Sequence, residues 1–454
     1  MSPAITPINV LPSELFSCIF SFVTGPTLLH TKLSKPHPLL VLTAVCTQWR
    51  QIAIGTSSLW THIQLPAPPP PTKDSSYRTE YIRLWLERAQ GAPLHVYVLI
   101  RVARTLDDQH YLSQLLSTLQ PHIDHINSLV FPVTTNSIID PFLAFCSRYG
   151  APGSLKSLAI TSYRQEENLV RQSWPTVYLQ GLVSLQLSGL AECMSPNFDE
   201  LSTILSASPF LQTLRLRNMS ILPGQALAVS LPELQVLDVR DLDRGNLLEL
   251  LHILFVGKLE LDFRLSLGWL AESDVIDAIV PFCRRSNVVS LWFTDSFASL
   301  DHLVVALLSC LSSLRVLALY DGDGNFHTAD NMIDVKPGGK TPRCKKLHTL
   351  YLKSHTGISK AAESHINRLL EVYSLHTIVL ERFAPAPFVS DPAYSEDESQ
   401  REEHNAEFLN GLARKVQSVV SDGRGLSGSD ETVDLYIRKL ITGSGVNLIG
   451  TQMA

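Results

Sequence analysis

The chain has 454 residues, 45 % hydrophobic and 18 % charged, with a net charge of -6 and a pI near 6.2. That balance supplies ample apolar material for a packed core and gives no general attraction to nucleic acid or to an anionic membrane. The opening MSPAITPINV lacks the charged start and long apolar run of a secretory leader, and the most apolar run, Leu247 to Val256, is short and interrupted by Glu249 and His252. A cytoplasmic or nuclear protein without membrane spans is expected. Seven cysteines, odd in number, scattered and never in C-x-x-C spacing, predict neither a disulfide framework nor a zinc site.

In chain order, the first predicted element is a helix opening at Leu11-Pro12-Ser13-Glu14-Leu15, where proline suits the first turn and Glu14 favours the positive end of the helix dipole. Leu15, Ile19 and Phe22 form one stripe along it, and Phe16, Phe20 and Val23 an adjacent one. This helix is apolar over too much of its girth to be an ordinary surface helix, so part of it should meet a second element or a partner. A second helix is predicted from Pro38 to Ala53, with Leu39, Leu42, Cys46, Trp49 and Ala53 at helical spacing and Gly55 as its stop. Ser57-Ser58-Leu59-Trp60 leads into Thr61 to Leu65, which alternates like a strand.

The three blocks LPSELFSCIFSFV, VLTAVCTQWRQIA and TSSLWTHIQL resemble an F-box of the form found in fungal F-box proteins with leucine-rich repeats. The resemblance rests on Leu11, Pro12, Glu14, Leu15, Ile19 and Phe20, then on Val45, Cys46, Trp49, Arg50, Ile52 and Ala53, and finally on Leu59 and Trp60. The connection from Thr24 to His37 is longer than the family's usual short turn. What the resemblance implies is docking on a Skp-type adaptor, and through it on a cullin-RING ubiquitin ligase. Physically this asks for a helical unit presenting aromatic and aliphatic anchors. For Trp49 and Trp60, internal packing is the competing role.

Residues 1–65 thus read as a small all-α F-box domain and 66–79, with the run PAPPPP, as a proline-rich linker. Over 80–125 a helix marked by Tyr81, Leu84, Trp85 and Arg88, followed by the strand pattern Leu94 to Val98, reads as a lead-in that covers the first edge of a sheet. From 126 to 383 one pattern recurs: apolar, two variable, apolar, one variable, apolar. LQTLRL (Leu211 to Leu216) is its clearest copy, SLKSLAI, GLVSLQL, ELQVLDV, NVVSLWF, SLRVLAL, KLHTLYL and SLHTIVL are others, and INSLVF and VGKLEL are weaker ones, with successive copies about 22 to 33 residues apart. One such strand cannot bury its leucines alone, but stacked copies can. Helical patterns fall between the copies, at Asp199 to Ala207, Val275 to Cys283, His302 to Leu311 and Ala361 to Tyr373.

The predicted fold is therefore an α/β solenoid of irregular leucine-rich repeats, with a parallel sheet on one face and helices on the other, and a doubly wound α/β domain as the alternative. Leu190, Met219, Leu242 and Phe383 stand where an Asn or Cys usually follows the repeat strand.

The variable residues between the leucines face outward on the sheet side, where a solenoid binds. They nominate Arg215, Arg217, Asp238, Arg240, Trp292, Tyr320, Tyr351 and Lys353 as substrate contacts, with Glu260 and Asp262 beside them. Beyond the repeats, 384–406 is an acidic linker, and 407–454 a C-terminal helical segment or cap with Phe408, Leu412, Val416 and Val419 along one helix face.

No phosphate loop, dinucleotide fingerprint, nucleophile elbow or H-E-x-x-H occurs, so no catalytic residue, cofactor or metal is expected. Asp321 to Asn325 begins like a calcium loop, but Phe326 stands at its glycine and Met332 at its glutamate. The expected function is that of a substrate receptor of an SCF-type ubiquitin ligase, its partners an adaptor and a protein substrate. The alternative is a repeat scaffold acting outside a ligase.

Overall fold

The computed structural model describes residues 11–24, 37–65, 76–99, 106–134, 136–162, 173–266, 273–293, 306–308, 310–321, 333–336, 339–342, 344–354, 360–381 and 418–422. The chain divides into one unit of residues 1–266 and 277–287 and a second of 267–276 and 288–454.

The first unit opens with helices α1 (Ser13–Thr24), α2 (Pro38–Val45) and α3 (Thr47–Gly55) and a 3-10 turn (Ser57–Trp60). The single helix expected from Pro38 to Ala53 is two. Cys46 breaks it in extended conformation (φ -156°, ψ 171°), and its sulfur accepts the Trp49 amide at 3.5 Å as the cap of α3.

Strands β1 (His62–Leu65), β2 (Leu94–Val98), β3 (Ile126–Thr134), β4 (Ser157–Ser162), β5 (Ser184–Ser188) and β6 (Thr213–Arg217) pair in sequence order, each parallel to the next. A short β7 (Val229–Leu231) stands aside, pairing with β9 (Leu254–Val256), while β8 (Val236–Arg240) follows β6 and β10 (Leu261–Leu265) follows β8. Helices α4 (Ser76–Ala89), α5 (Leu106–Leu119), α6 (Asn136–Tyr149), α7 (Phe198–Ser206), α8 (Arg244–Ile253) and α9 (Ser273–Arg285) lie between strands in the chain. The outermost strand is β1, not the expected lead-in strand at Leu94 to Val98. The F-box-like segment itself covers the sheet edge.

The repeated leucines form the core as their spacing predicts. Leu185, Leu214, Leu237 and Phe263 align across β5, β6, β8 and β10, as do Leu187, Leu216, Val239 and Leu265, and all are at most 1 % exposed. Burying each such side chain contributes about 1.5–3 kcal/mol. Leu190, Met219 and Leu242 are buried too, so an apolar row replaces the polar ladder after the strands; Phe383 lies outside the described residues. The turn before that row needs a left-handed residue, supplied by Gly189 (φ 65°), Asn218 (φ 47°) and Asp241 (φ 56°). A capping box starts α7: Asn197 Oδ1 accepts the Glu200 amide at 2.7 Å and Glu200 Oε2 the Asn197 amide at 3.0 Å.

In the second unit β11 (Val288–Phe293), β12 (Val316–Asp321), β15 (Thr349–Ser354), β16 (Thr377–Glu381) and β17 (Ser418–Asp422) run parallel in that order. The hairpin β13 (Ile333–Lys336) and β14 (Gly339–Pro342) precedes β15, and α10 (Lys360–Val372) precedes β16. The expected C-terminal helix reaching Val419 is corrected. Val419 belongs to β17 and pairs with Ile378, because the β-branched pair Val419-Val420 suits a strand and the β16 edge is present to pair with it. The acidic linker, the rest of the C-terminal segment, part of the proline-rich stretch and residues 322–332 lie outside the described residues.

Candidate interaction surfaces

On α1 the two stripes read from the sequence part company. Phe16 and Phe20 are fully buried, and both rings meet the Trp49 ring, with centroids 5.6 and 5.2 Å away. Leu15, Ile19 and Phe22 remain 49 %, 42 % and 87 % exposed. Exposed Val41 and Val45 on α2 and Ile54 on α3 add to the apolar surface of these helices. Phe22, Val41 and Ile54 were absent from the residues that carry the F-box resemblance, although the stripe spacing already points to Phe22.

The other adaptor candidates separate by burial. Pro12 and Glu14 are exposed and Leu11 half-buried, with the Pro12 carbonyl accepting the amides of Leu15 and Phe16 at 3.1 and 3.2 Å. Arg50 is exposed and donates from Nε to the Thr43 carbonyl at 2.9 Å; Cys46 is a half-buried cap. Trp49 and Ile52 are half-buried. Phe20, Ala53, Leu59 and Trp60 are corrected to internal packing. Trp60 donates from Nε1 to the Ala53 carbonyl at 2.7 Å, stands edge-on to Trp85 of α4 at 4.9 Å, and lies 4.3 Å beneath the Arg88 guanidinium.

Three histidines mark where these helices meet the sheet. His37 caps α2 by accepting the Leu39 amide at Nδ1, 3.2 Å away, and its ring meets Trp85 edge-on at 4.8 Å. His62 of β1 stacks on His95 of β2, its register partner. Burial pushes the His37 pKa down to about 4. Burial, with help from the neighbouring His95 and His37, does the same to His62.

Along the outward face of the first unit, Gln186, Arg215, Asp238 and Arg264 align in one row, and Ser188, Arg217 and Arg240 in the next. The expectation of freely exposed charges is corrected here. Asp238 is fully buried, and Arg217 and Arg240 both bind it, with Arg217 Nε at 2.9 Å and Arg240 Nε at 2.8 Å. Burial alone raises the Asp238 carboxyl, but the two guanidinium groups outweigh it and hold the pKa below the usual carboxylate range.

Arg264 is likewise paired, its terminal nitrogen 2.6 Å from Asp262, and Arg215 is buried. Arg217 and Arg240 keep part of their side chains exposed, at 21 % and 15 %. In the second unit Trp292 and Tyr351 are also buried rather than exposed. They lie on either side of Ala318 in register, and that small residue lets the rings meet at 5.2 Å. Tyr320 and Lys353 are register partners whose side chains lie outside the description.

A cavity of about 730 Å³ at the C-terminal ends of β5, β6 and β8 is lined by Glu192, Asp241 and Asp243 among others. Two of these carboxylates already serve the fold: Asp241 accepts the Ser266 hydroxyl at 2.7 Å, and Asp243 caps α8 by accepting the Asn246 amide at 2.9 Å. Among the described residues no group of three His, Cys, Asp or Glu side chains is placed to hold a metal, and no helix is long and apolar enough to cross a membrane.

Residues 8–66 match the F-box-like family model. This match covers the three helices, the 3-10 turn and β1. No curated protein matches the sequence. Among solved structures the chain is similar to the leucine-rich repeat-containing protein LegL7 from Legionella pneumophila, at 13 % identity over 76 % of this chain and 98 % of that one, with a TM-score of 0.32. The protein has a helical F-box-like N-terminus followed by parallel strands with helices between them in the chain.

Proposed function

We propose that this chain is a substrate receptor of an SCF-type cullin-RING ubiquitin ligase, its F-box-like helices docking on a Skp-type adaptor and its repeat face holding a protein substrate. One observation carries the reading: Leu15, Ile19 and Phe22 stand exposed on one side of α1 while Phe16 and Phe20 on the other side fill the core. An apolar stripe of this kind is costly in water and suits a partner groove. Docking would use Leu15, Ile19, Phe22, Val41 and Val45, framed by Pro12, Glu14 and Arg50, while Phe20, Leu59 and Trp60 hold those groups in place from behind. On the repeat face, the partly exposed Gln186, Ser188, Arg217 and Arg240 are the contacts best placed for a substrate.

The receptor supplies no bond-making group. It acts by proximity, raising the effective concentration of a target's amines beside chemistry carried by other subunits. The test is co-purification of the full chain with a Skp-type adaptor, beside a Leu15→Ser, Ile19→Ser, Phe22→Ser variant. Binding by the parent and loss in a variant with unchanged thermal unfolding is the expected result. A folded parent that does not bind sinks the ligase reading and leaves a repeat protein whose helices only cover the sheet edge.

A further inference from the structure

The two basic residue types are distributed unequally along the chain. Between residues 74 and 335 the sequence holds 16 arginines and two lysines, Lys156 and Lys258; the remainder holds eight arginines and 11 lysines. The buried ion pairs explain part of this preference, because Arg217, Arg240 and Arg264 use the planar guanidinium fork on Asp238 and Asp262.

They do not explain the exposed positions. Arg83 is 60 % exposed and pairs with Glu80 and Glu87 one turn away on α4, an arrangement a lysine satisfies equally well. Arg284, at the end of α9, is exposed as well. Of the two lysines, Lys156 is half-buried with Nζ 3.5 Å from the Gly181 carbonyl, which leaves Lys258 as the exposed amine of the stretch.

We infer that this lysine-poor stretch shields the receptor from ubiquitination by its own ligase, an inference that rests on the receptor reading above. A receptor stays beside the ubiquitin thioester through every turnover, so its own amines compete with the substrate's at an effective concentration on the order of millimolar. In transfer, a neutral lysine amine attacks the thioester carbonyl. The C–N bond forms as the C–S bond breaks, and the departing cysteine thiolate takes up the amine's proton. A guanidinium stays protonated throughout the physiological range and offers no nucleophile. Arginine therefore keeps the positive charge that solubility and ion pairs require while closing this side reaction.

The test reconstitutes the full chain with adaptor, cullin-RING core, ubiquitin and its activating and conjugating enzymes, and maps modified lysines by peptide mass spectrometry. The parent should carry ubiquitin within 74–335 at Lys258 alone. An Arg83→Lys, Arg284→Lys variant, matched in thermal unfolding and adaptor binding, should gain modification at positions 83 and 284 and show severalfold more self-ubiquitination. Assembly with the adaptor but no gain at either position overturns the inference and leaves the receptor reading intact. Failure of the parent to assemble overturns both, and the co-purification step tells the two failures apart.

Discussion

Trp60 meets Trp85 edge-on, with ring centroids 4.9 Å apart, and so ties the F-box-like segment to the first helix beyond it. The contact is one side of a closed cage, since the Trp60 indole also donates to the Ala53 carbonyl and carries the Arg88 guanidinium on its face. Trp60→Ala should therefore destabilise the protein by about 3–5 kcal/mol, the range for deleting a buried aromatic. Leu15→Ala, at an exposed position, should stay within about 0.5 kcal/mol. Urea unfolding of both variants checks the contrast; equal costs would mean that the two faces of the helical unit are assigned the wrong way round.

Arg217 and Arg240 converge on the Asp238 carboxylate. Asp238→Asn keeps the shape but leaves two guanidinium groups facing a neutral amide, and breaking such a buried pair costs about 3–5 kcal/mol. The pH dependence has a definite sign. A carboxyl whose folded pKa lies below its unfolded value, about 3.9, contributes stability that is full above that value and is lost as pH falls through the folded pKa. The parent should lose stability more steeply below about pH 4 than the variant does. Parallel acid limbs in the two proteins would show that Asp238 is not held charged.

How far the sequence could be read follows from which interactions are local. The leucines of LQTLRL announced their own burial, because each repeats the same alternation, and Leu214 and Leu216 need no knowledge of their neighbours to be assigned to the core. The outward direction of Arg217 and Asp238 was legible by the same alternation. Their pairing was not, because it depends on the register between two strands and the residues lie 21 apart in the chain. The break between α2 and α3 carries no glycine or proline, and a cysteine sulfur does the capping, so the apolar spacing ran straight through it. Trp60 was ambiguous for a different reason: an aromatic after a helical block suits a core and an interface equally, and its true partner, Trp85, lies past the proline-rich stretch.

Gly189 tests the left-handed turn that follows β5, as Asn218 and Asp241 follow β6 and β8. Its φ of 65° lies in the left-handed region, and a Cβ placed there would sit 1.8 Å from the Ser162 carbonyl oxygen, which is backbone and cannot swing aside. Gly189→Ala should destabilise by more than about 1 kcal/mol, the ordinary cost of an unfavourable backbone conformation. Asn218→Gly, at the matching turn after β6, should cost far less, because glycine tolerates the same φ. Thermal unfolding of the two variants separates a clash from mere turn preference.

The stacked pair His62 and His95 joins the outermost strand to the next, with ring centroids 4.7 Å apart. Both rings are held neutral by burial: His62 is lowered to about 4 with His95 and His37 contributing, and the His95 pKa is lowered as well. A histidine whose folded pKa lies below its unfolded value, about 6.5, costs stability as pH falls, because protons bind the unfolded chain first. The loss should begin near pH 6.5 and be complete near pH 4, a window above that of Asp238. His62→Gln keeps a polar side chain and removes the proton acceptor, so it should flatten the slope across that window while leaving the limb below it in place. If the parent and variant slopes coincide between pH 6.5 and 4, the imidazole is already as accessible to protons in the fold as in the unfolded chain, and the packing of His62 against His95 is looser than the ring stacking indicates.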